Sequence, residues 1–215
     1  MIMPGPTPVH YKDPPRVEAD RIDWRMNLSP GSRSELLDIA RTALRAAVTR
    51  RELIHTPPTA PELLQPAGCF VSLHERDTHR LRGCIGRLEA SGPLWQVVRE
   101  TAANVLDDPR FVEQRVTLDD LPLLDIEVSV ISPLAPATSC TSFDLLNDGI
   151  YLTCAGRTGC FLPQVARETG WTREQLLDRL CTEKLGIEPS AWRGGNATLM
   201  RFSTLIIGPE PVATT

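Results

Sequence analysis

The sequence predicts an α+β protein, with a largely antiparallel or mixed sheet and flanking helices. Helical and strand patterns are interspersed with hairpins, and they lack the regular strand–helix–strand alternation of a parallel sheet. The clearest strand, Leu124 to Val130, alternates apolar and polar residues strictly, which is typical of a sheet with one face in water. The length of 215 residues suits one globular domain, or two small lobes, with a sizeable core.

The N-terminal residues 1–28 are predicted to form an irregular arm. The first thirty residues contain six prolines, and proline fits neither a helix interior nor a central strand. We therefore expect the folded domain at 29–208 and a short tail at 209–215.

Two capping boxes predict the long helices. Ser32 and Glu35 precede apolar residues at a spacing of three to four, which indicates a helix ending near residues 50–51. Thr172 and Gln175 form the second box, and the helix that follows is predicted to end at Gly186.

A hairpin and another helix lie between them. Beyond a proline-rich linker at 56–66, strands are predicted at 69–74 and 81–88 around a polar turn. Ser91-Gly92-Pro93 opens the helix, and Asp107-Asp108-Pro109 ends it.

The C-terminal half adds a second hairpin and a final strand. Residues 150–154 and 160–162 are predicted to pair around a turn at 155–159. Residues 198–207 are predicted to form one strand that closes the domain.

Composition and motif spacing exclude several classes of protein. A net charge of −4 without a Lys/Arg run makes binding of nucleic acid or anionic lipid through bulk charge unfavourable. No apolar run approaches the roughly 18 residues of a membrane span, and no signal peptide is visible, so we expect a cytoplasmic protein. Its six cysteines would then stay reduced. Neither C-x-x-C nor a phosphate-binding loop occurs, so we predict no metal or cofactor.

The segment Leu81 to Arg87 is the best candidate for a functional site. In a regular strand Arg82, Cys84 and Gly86 share one face, which places a cation beside the thiol and favours the thiolate. Two glycines in a strand, Gly83 and Gly86, indicate close approach of a ligand or of other backbone. The alternative is a buried cysteine that only packs, with glycines that serve strand curvature.

Other polar residues are candidates for proton transfer or binding. Glu127, on the polar face of the clearest strand, is one possible base, and His74 and His55 are others. Asp108 and Arg110 follow a helix end where acidic residues are unfavourable, which suggests specific partners. Gln164 follows a predicted strand, where it is either presented to a site or caps a helix.

Six stretches of the chain resemble the AMMECR-one domain family, which is protein A of the AmmeMemoRadiSam system in bacteria and archaea. They cover about residues 33–207, and Leu-Arg-Gly-Cys-Ile-Gly is the most specific of them. The stretches are Gly68-Cys69-Phe70-Val71-Ser72-Leu73, Leu81-Arg82-Gly83-Cys84-Ile85-Gly86, Asp108-Pro109-Arg110-Phe111, Leu124-Asp125-Ile126-Glu127-Val128-Ser129-Val130, Leu162-Pro163-Gln164-Val165 and Ala191-Trp192-Arg193. Arg87 and Cys160 depart from the family pattern. We expect Arg87 to alter the charge or shape of the site and Cys160 to affect only packing.

The resemblance implies two unequal lobes around a cleft lined by Cys84. It also implies association with a Memo-like protein and a radical S-adenosylmethionine enzyme. We expect Cys84 to be a reactive thiol activated by Arg82 and Arg87, with Glu127 or a histidine carrying the proton. The alternative is a non-catalytic adaptor that binds a peptide or partner surface.

Overall fold

A computed structural model of the chain describes residues 28–52 and 56–213. The predicted arm lies outside the described residues except for Leu28, which is buried in the core. His55 also lies outside them. Within the described ranges, no helix is long and apolar enough to cross a membrane.

Helices and two antiparallel four-stranded sheets make up the described chain, which confirms the α+β prediction. The α-helices are α1 (Pro30–Thr49), α2 (Leu94–Asn104), α3 (Pro163–Thr169) and α4 (Arg173–Arg179). The strands are β1 (Gly68–Glu75), β2 (Leu81–Arg87), β3 (Leu124–Ile131), β4 (Ala135–Pro136), β5 (Gly149–Cys154), β6 (Arg157–Phe161), β7 (Thr198–Phe202) and β8 (Thr204–Pro211). Short 3₁₀ turns connect several of these elements.

The first sheet has the strand order β2-β1-β3-β8, and α1 and α2 cover one of its faces. Val71 and Leu73 of β1 and Ile126 and Val128 of β3 point into this core, where each is 0 % exposed. The predicted alternation of β3 is therefore confirmed. Because side chains alternate along a strand, the residues between these positions lie on the opposite face.

The second sheet has the order β4-β7-β5-β6 and a separate core. Ile150, Leu152 and Phe161 of the sheet pack there with Leu177 of α4 and Leu180. Leu180 begins a π-helical turn, Leu180–Leu185, that continues α4. Each sheet thus has its own hydrophobic core.

The first helix begins earlier than predicted. Ser29 is the N-cap and accepts a hydrogen bond from the Ser32 backbone N–H at 3.1 Å, so the prediction that Ser32 caps the helix is wrong. Pro30 occupies the first helical position, where its missing N–H has no cost. The Ser32 hydroxyl instead donates to Glu62 at 2.7 Å.

The second predicted capping box is confirmed. The Gln175 backbone N–H donates to the Thr172 hydroxyl at 3.3 Å, and the Thr172 N–H donates to Gln175 Oε1 at 3.0 Å. The helical stretch ends at Gly186, which adopts a left-handed conformation as predicted.

The predicted single strand at 198–207 is wrong, because β7 and β8 belong to different sheets. The chain breaks at Ser203, whose carbonyl accepts from the Ser132 N–H at 3.0 Å and whose N–H donates to the Ser132 hydroxyl at 2.9 Å. Both connections between the sheets pass through this pair. Strand β8 extends to Pro211, and Val212 is buried, so the ordered sheet continues past 208.

Candidate functional site

A row of polar residues crosses three strands of the first sheet, on the face opposite α1 and α2. Ser72 of β1 is paired in register with Cys84 of β2 on one side and with Glu127 of β3 on the other. Neighbouring strands lie about 4.8 Å apart, so the backbones of Cys84 and Glu127 are roughly 10 Å apart, with Ser72 between them. The antiparallel register thus brings the predicted thiol and the predicted base to one line.

The backbone of Cys84 is held by two residues from the 3₁₀ region after α2. The Cys84 N–H donates to Asp108 Oδ2 at 2.9 Å, and Arg110 Nη2 donates to the Cys84 carbonyl at 3.3 Å. Asp108 is 2 % exposed and forms an ion pair with Arg110 at 2.7 Å. Both residues therefore have the specific partners that their positions suggested, and the partners fix the strand segment that contains the thiol.

The surroundings of Cys84 disfavour ionisation of its thiol. Burial raises its pKa above the usual value, and the charges of Asp108 and Glu127 act in the same direction. A hydrogen bond with Ser72 and the positive charge of Arg110 oppose the rise without cancelling it. The surroundings thus favour the thiol, in contrast to the thiolate that a neighbouring cation alone would favour.

The two arginines expected to activate Cys84 have other partners. Arg82 donates to Glu75 and to the Gln114 carbonyl, each at 3.2 Å, at a point where the β1–β2 register shifts. Arg87 donates to Ser91 at 2.9 Å and to Glu100 at 3.1 Å. The cation that lowers the pKa of Cys84 is Arg110.

The two glycines of the motif allow close packing within the protein. A Cβ at Gly83 would lie 3.0 Å from the carbonyl oxygen of Val105. A Cβ at Gly86 would overlap the ring of Phe70 and the carbonyl oxygen of Cys69. The space beside Cys84 that the sequence left free of a side chain therefore contains the Phe70 ring.

Glu127 occupies a partly desolvated position on the same face. Burial raises the pKa of its carboxyl group, and the negative charge of Glu168 adds to the rise. His74, Ser129 and Gln164 oppose it. A carboxyl group whose pKa is shifted towards neutrality is suited to exchange protons at cellular pH.

The second sheet's unit contributes Gln164, at the start of α3, to this row. Gln164 Nε2 donates to the Ser129 hydroxyl at 3.4 Å, and that hydroxyl donates to Glu127 Oε1 at 3.4 Å. Ser129 is only 2 % exposed. The polar face of β3, predicted to be in water, is thus partly covered here.

Sequence reasoning missed Ser72, Ser129 and Cys160 as members of the site. Cys160 pairs with Tyr151 on the face of the second sheet that points away from α4. Burial raises the pKa of the Cys160 thiol and the positive charge of Lys184 opposes the rise, while an electrostatic coupling to Cys84 links it to the row. Along their strands, Ser72 and Ser129 alternate with the buried apolar residues, as Cys84 and Glu127 do, and therefore lie on the same face of the sheet. This alternation is the pattern in the sequence from which the two serines could have been predicted as part of the site. Over residues 28–52 and 56–213, no group of three His, Cys, Asp or Glu side chains is placed to hold a metal ion.

Fold and site together define an α+β protein with two antiparallel sheets and a thiol–carboxylate row on the face of the first sheet opposite α1 and α2. The profile of the AMMECR1 family matches residues 37–207. The chain belongs to the AMMECR1 family.

Archaeal relatives and one crystal structure are similar over most of the chain. Protein MJ0810 of Methanocaldococcus jannaschii is 33% identical over 154 residues, covering 68% of this chain and 75% of the relative. A protein of Methanothermobacter thermautotrophicus is 32% identical over 192 residues, covering 84% and 97%. The crystal structure of the uncharacterized protein PH0010 from Pyrococcus horikoshii matches with a TM-score of 0.73 at 30% identity, covering 80% of this chain and 88% of that one.

Proposed function

We propose that this AMMECR1-family protein uses Cys84 as a nucleophile in a cleft between its two sheets. The observation that supports the proposal is the cross-strand row in which Ser72 stands between Cys84 and Glu127. The thiol is protonated at rest, and Glu127 accepts its proton through the Ser72 hydroxyl as the new bond to sulfur forms. This is general-base catalysis, which contributes a factor of roughly 10² to 10⁴ in characterised enzymes.

Partners and location are part of the same proposal. We propose that the protein acts in the cytoplasm with a Memo-like protein and a radical S-adenosylmethionine enzyme, as its resemblance implies. A thiol that loses its proton only as a new bond to sulfur forms would be oxidised slowly between turnovers, because the thiolate is the form that oxidants attack.

The effect of Glu127→Gln on the alkylation rate of Cys84 tests the proposed proton route, in which the Cys84 proton passes through the Ser72 hydroxyl to Glu127. The negative charge of Glu127 raises the pKa of Cys84, so on electrostatic grounds alone Glu127→Gln would lower that pKa and speed alkylation. A general base gives the opposite result, because its removal leaves the thiol without a proton acceptor. We expect Glu127→Gln to slow alkylation of Cys84 by iodoacetamide at pH 7 at least about tenfold.

The measurement is mass spectrometry of the peptide that contains Cys84 after timed alkylation of the folded chain. Ser72→Ala should slow the reaction similarly, since it removes the intermediate hydroxyl. Glu100→Gln is the matched control, because Glu100 is an exposed carboxylate that binds Arg87 outside this row. Faster labelling of Glu127→Gln than of the unmodified chain would refute the proton route.

The second candidate is an adaptor whose cleft binds a partner surface. Two observations favour it: burial raises the pKa of Cys84, and the Phe70 ring fills the space above Gly86. In that case Cys84→Ala retains binding of the purified Memo-like protein, whereas Phe70→Ala loses it. Titration calorimetry with both variants separates the candidates, since a thiol-dependent complex would be weakened by Cys84→Ala.

A further inference from the structure

Three cysteines that are distant in sequence meet in the second core. Cys154, at the end of β5, is 4 % exposed, and Cys181 is 0 % exposed. The half-buried Cys140 packs against the same core. All three are free thiols. They lie on the α4 side of the second sheet, whereas Cys160 lies on its other face, so they form a thiol cluster separate from the Cys84 row.

The register of β5 and β7 places Cys140 beside Cys154. Thr153 pairs with Thr198, so the next position along these antiparallel strands sets Cys154 opposite Ala197. The Cys140 thiol donates to the carbonyl of that same Ala197 at 3.9 Å. Residues that oppose each other in an antiparallel pair have Cα atoms about 4.5–5.5 Å apart. Both cysteines therefore border one residue, although fourteen residues of sequence separate them.

The electrostatic coupling of the three thiols agrees with this placement. Burial raises the pKa of Cys140, and the charge of Cys154 adds to the rise. Burial also raises the pKa of Cys181, a hydrogen bond from the Trp192 backbone lowers it, and the charge of Cys154 raises it more than the charge of Cys140 does. Cys154 is thus the common neighbour of the other two thiols.

Exposure assigns a different part to each member of the pair. Cys140 lies in the turn at 139–142 and is partly accessible to solvent, so a dissolved oxidant reaches it first. Cys154 is buried behind it, where its thiol donates to the Ala191 carbonyl at 3.6 Å. A thiol is a weak donor, so Cys154 can give up this hydrogen bond at little cost when it reacts.

We propose that Cys140 and Cys154 are a redox-sensitive pair that forms a reversible disulfide when a peroxide reaches Cys140. A disulfide of this kind in a cytoplasmic protein is transient, because cellular thiols reduce it again. The proposal is independent of the proposed function, since Cys84 and Glu127 belong to the other sheet. It holds or fails whether or not Cys84 is a nucleophile.

Two steps form the bond with hydrogen peroxide as the oxidant. The Cys140 sulfur attacks one peroxide oxygen, the oxygen–oxygen bond breaks, and the departing hydroxide takes the thiol proton to become water. Cys140 is then a sulfenic acid. The Cys154 sulfur attacks the sulfenic sulfur, the sulfur–oxygen bond breaks, and the second hydroxide leaves as water with the Cys154 proton. The two sulfurs together lose two electrons, and the peroxide is reduced to two waters.

Mass spectrometry of the full folded chain identifies the bond. The chain is treated with hydrogen peroxide, remaining thiols are blocked with N-ethylmaleimide, and peptides are analysed without reduction. Trypsin leaves both cysteines in one peptide, 116–157, so a second cleavage at Asp144 and Asp148 separates them. We expect the Cys140–Cys154 bond to be at least about tenfold more abundant than any other, because neighbouring thiols react at a high effective concentration.

Two variants distinguish the attacked thiol from the resolving thiol. In Cys154→Ser the sulfenic acid at Cys140 has no thiol to react with, so dimedone, which traps sulfenic acids, should label Cys140 at least about tenfold more than in the unmodified chain. Cys160→Ser is the matched control, because Cys160 is also half-buried but lies on the other face of the second sheet. It should leave the yield of the Cys140–Cys154 bond unchanged.

The melting temperature reports whether the two sulfurs are already placed to bond. Closing a loop of about 15 residues without distortion should raise the melting temperature by roughly 6–12 °C, and dithiothreitol should reverse the rise. Cys140→Ser, a change at a half-buried position, should show no rise. Glutathione disulfide, which exchanges its bond for the new one and leaves as two reduced glutathiones, ensures that a slow reaction with peroxide is not taken for absence of the bond.

Three results would overturn the inference. The first is absence of the Cys140–Cys154 bond with both hydrogen peroxide and glutathione disulfide. The second is a predominant bond from Cys140 to Cys181 or to a second chain. The third is a bond that lowers the melting temperature, because the fold would then have to distort to form it.

Discussion

Replacement of Asp108 by alanine should destabilise the protein strongly. The Asp108 carboxylate accepts hydrogen bonds from the Cys84 N–H at 2.9 Å, from the Arg110 N–H at 3.0 Å and from the Arg110 guanidinium at 2.7 Å. Its loss leaves the Cys84 N–H without its acceptor, at a cost of about 1–3 kcal/mol, and removes a charge-assisted bond to Arg110. Because Arg110 is half exposed, its ion pair adds little.

The total loss is about 3 kcal/mol in the free energy of unfolding. For a domain of this size it corresponds to a decrease of roughly 6–12 °C in the melting temperature. Urea unfolding at pH 7, followed by circular dichroism, measures the free energy directly. Asp108→Asn keeps the shape and one acceptor oxygen, so its loss should be about half as large.

The neighbouring Asp107→Ala is the matched control. Asp107 forms only an exposed ion pair with Arg115 at 3.4 Å, which contributes less than about 0.5 kcal/mol. The reasoning is refuted if the losses for Asp107→Ala and Asp108→Ala agree within about 1 kcal/mol. That result would mean that the hydrogen bonds of Asp108 do not hold the Cys84 segment in place.

Three further changes have defined outcomes. Gly86→Val should reduce the free energy of unfolding by about 3 kcal/mol, because the added Cβ would overlap the Phe70 ring. In the same urea assay, Gly92→Ala should change this free energy by less than about 0.5 kcal/mol, because a Cβ there would meet no atom closer than van der Waals contact. Equal losses for the two variants would contradict the packing role given to Gly86. Glu127→Gln should stabilise the protein at pH 7, because burial raises the pKa of the carboxyl group in the folded state above its unfolded value near 4.5. Ionisation of Glu127 therefore destabilises the fold as the pH rises above 4.5. A gain in stability that is absent at pH 7, or equally large at pH 4, would show that this cost of ionisation does not exist. Asp108 has the opposite sign: burial raises its pKa, but hydrogen bonds from Arg110 and from the Cys84 N–H outweigh that effect and hold it below 3.8. The contribution of the Asp108 carboxylate to stability is therefore complete above pH 3.8 and decreases as the pH falls below that value. Asp108→Asn and the unmodified chain should then converge in stability during acid unfolding. A difference in stability that stays constant with pH would show that Asp108 does not titrate in this way.

The elements with strong local patterns could be predicted from the sequence. The alternation of Leu124 to Val130, the turn after residue 75 and the Thr172–Gln175 capping box each depend on residues close in the chain. The errors at the first helix, at the last strand and at the second hairpin, whose strand β6 begins at Arg157 and not at 160, have different causes. The first helix begins at Pro30, with Ser29 as its N-cap, because proline is compatible with the first turn of a helix. The passage of the chain from one sheet to the other at Ser203 does not interrupt the apolar pattern, so the sequence does not show it.

The candidate site could be predicted only in part, because its geometry depends on register. Cys84 and Glu127 were identified from their own surroundings in sequence, but Ser72 joins them only through the pairing of β1 with both neighbours. The cation at Cys84 comes from Arg110, twenty-six residues away, and not from nearby Arg82. A regular strand would have placed Arg82 beside the thiol, and the register shift near His74 prevents that arrangement.

The paired serines Ser132 and Ser203 make residues 132–203 an insertion between two adjacent strands. Ile131 and Thr204 are cross-strand partners, and the two hydrophobic cores fall wholly outside and wholly inside the inserted segment. A two-residue turn could therefore join β3 directly to β8 and leave the first sheet with its complete core. The inserted part supplies Gln164 and Cys160, so evolution or engineering can exchange it as a module without rebuilding the strands that hold Cys84.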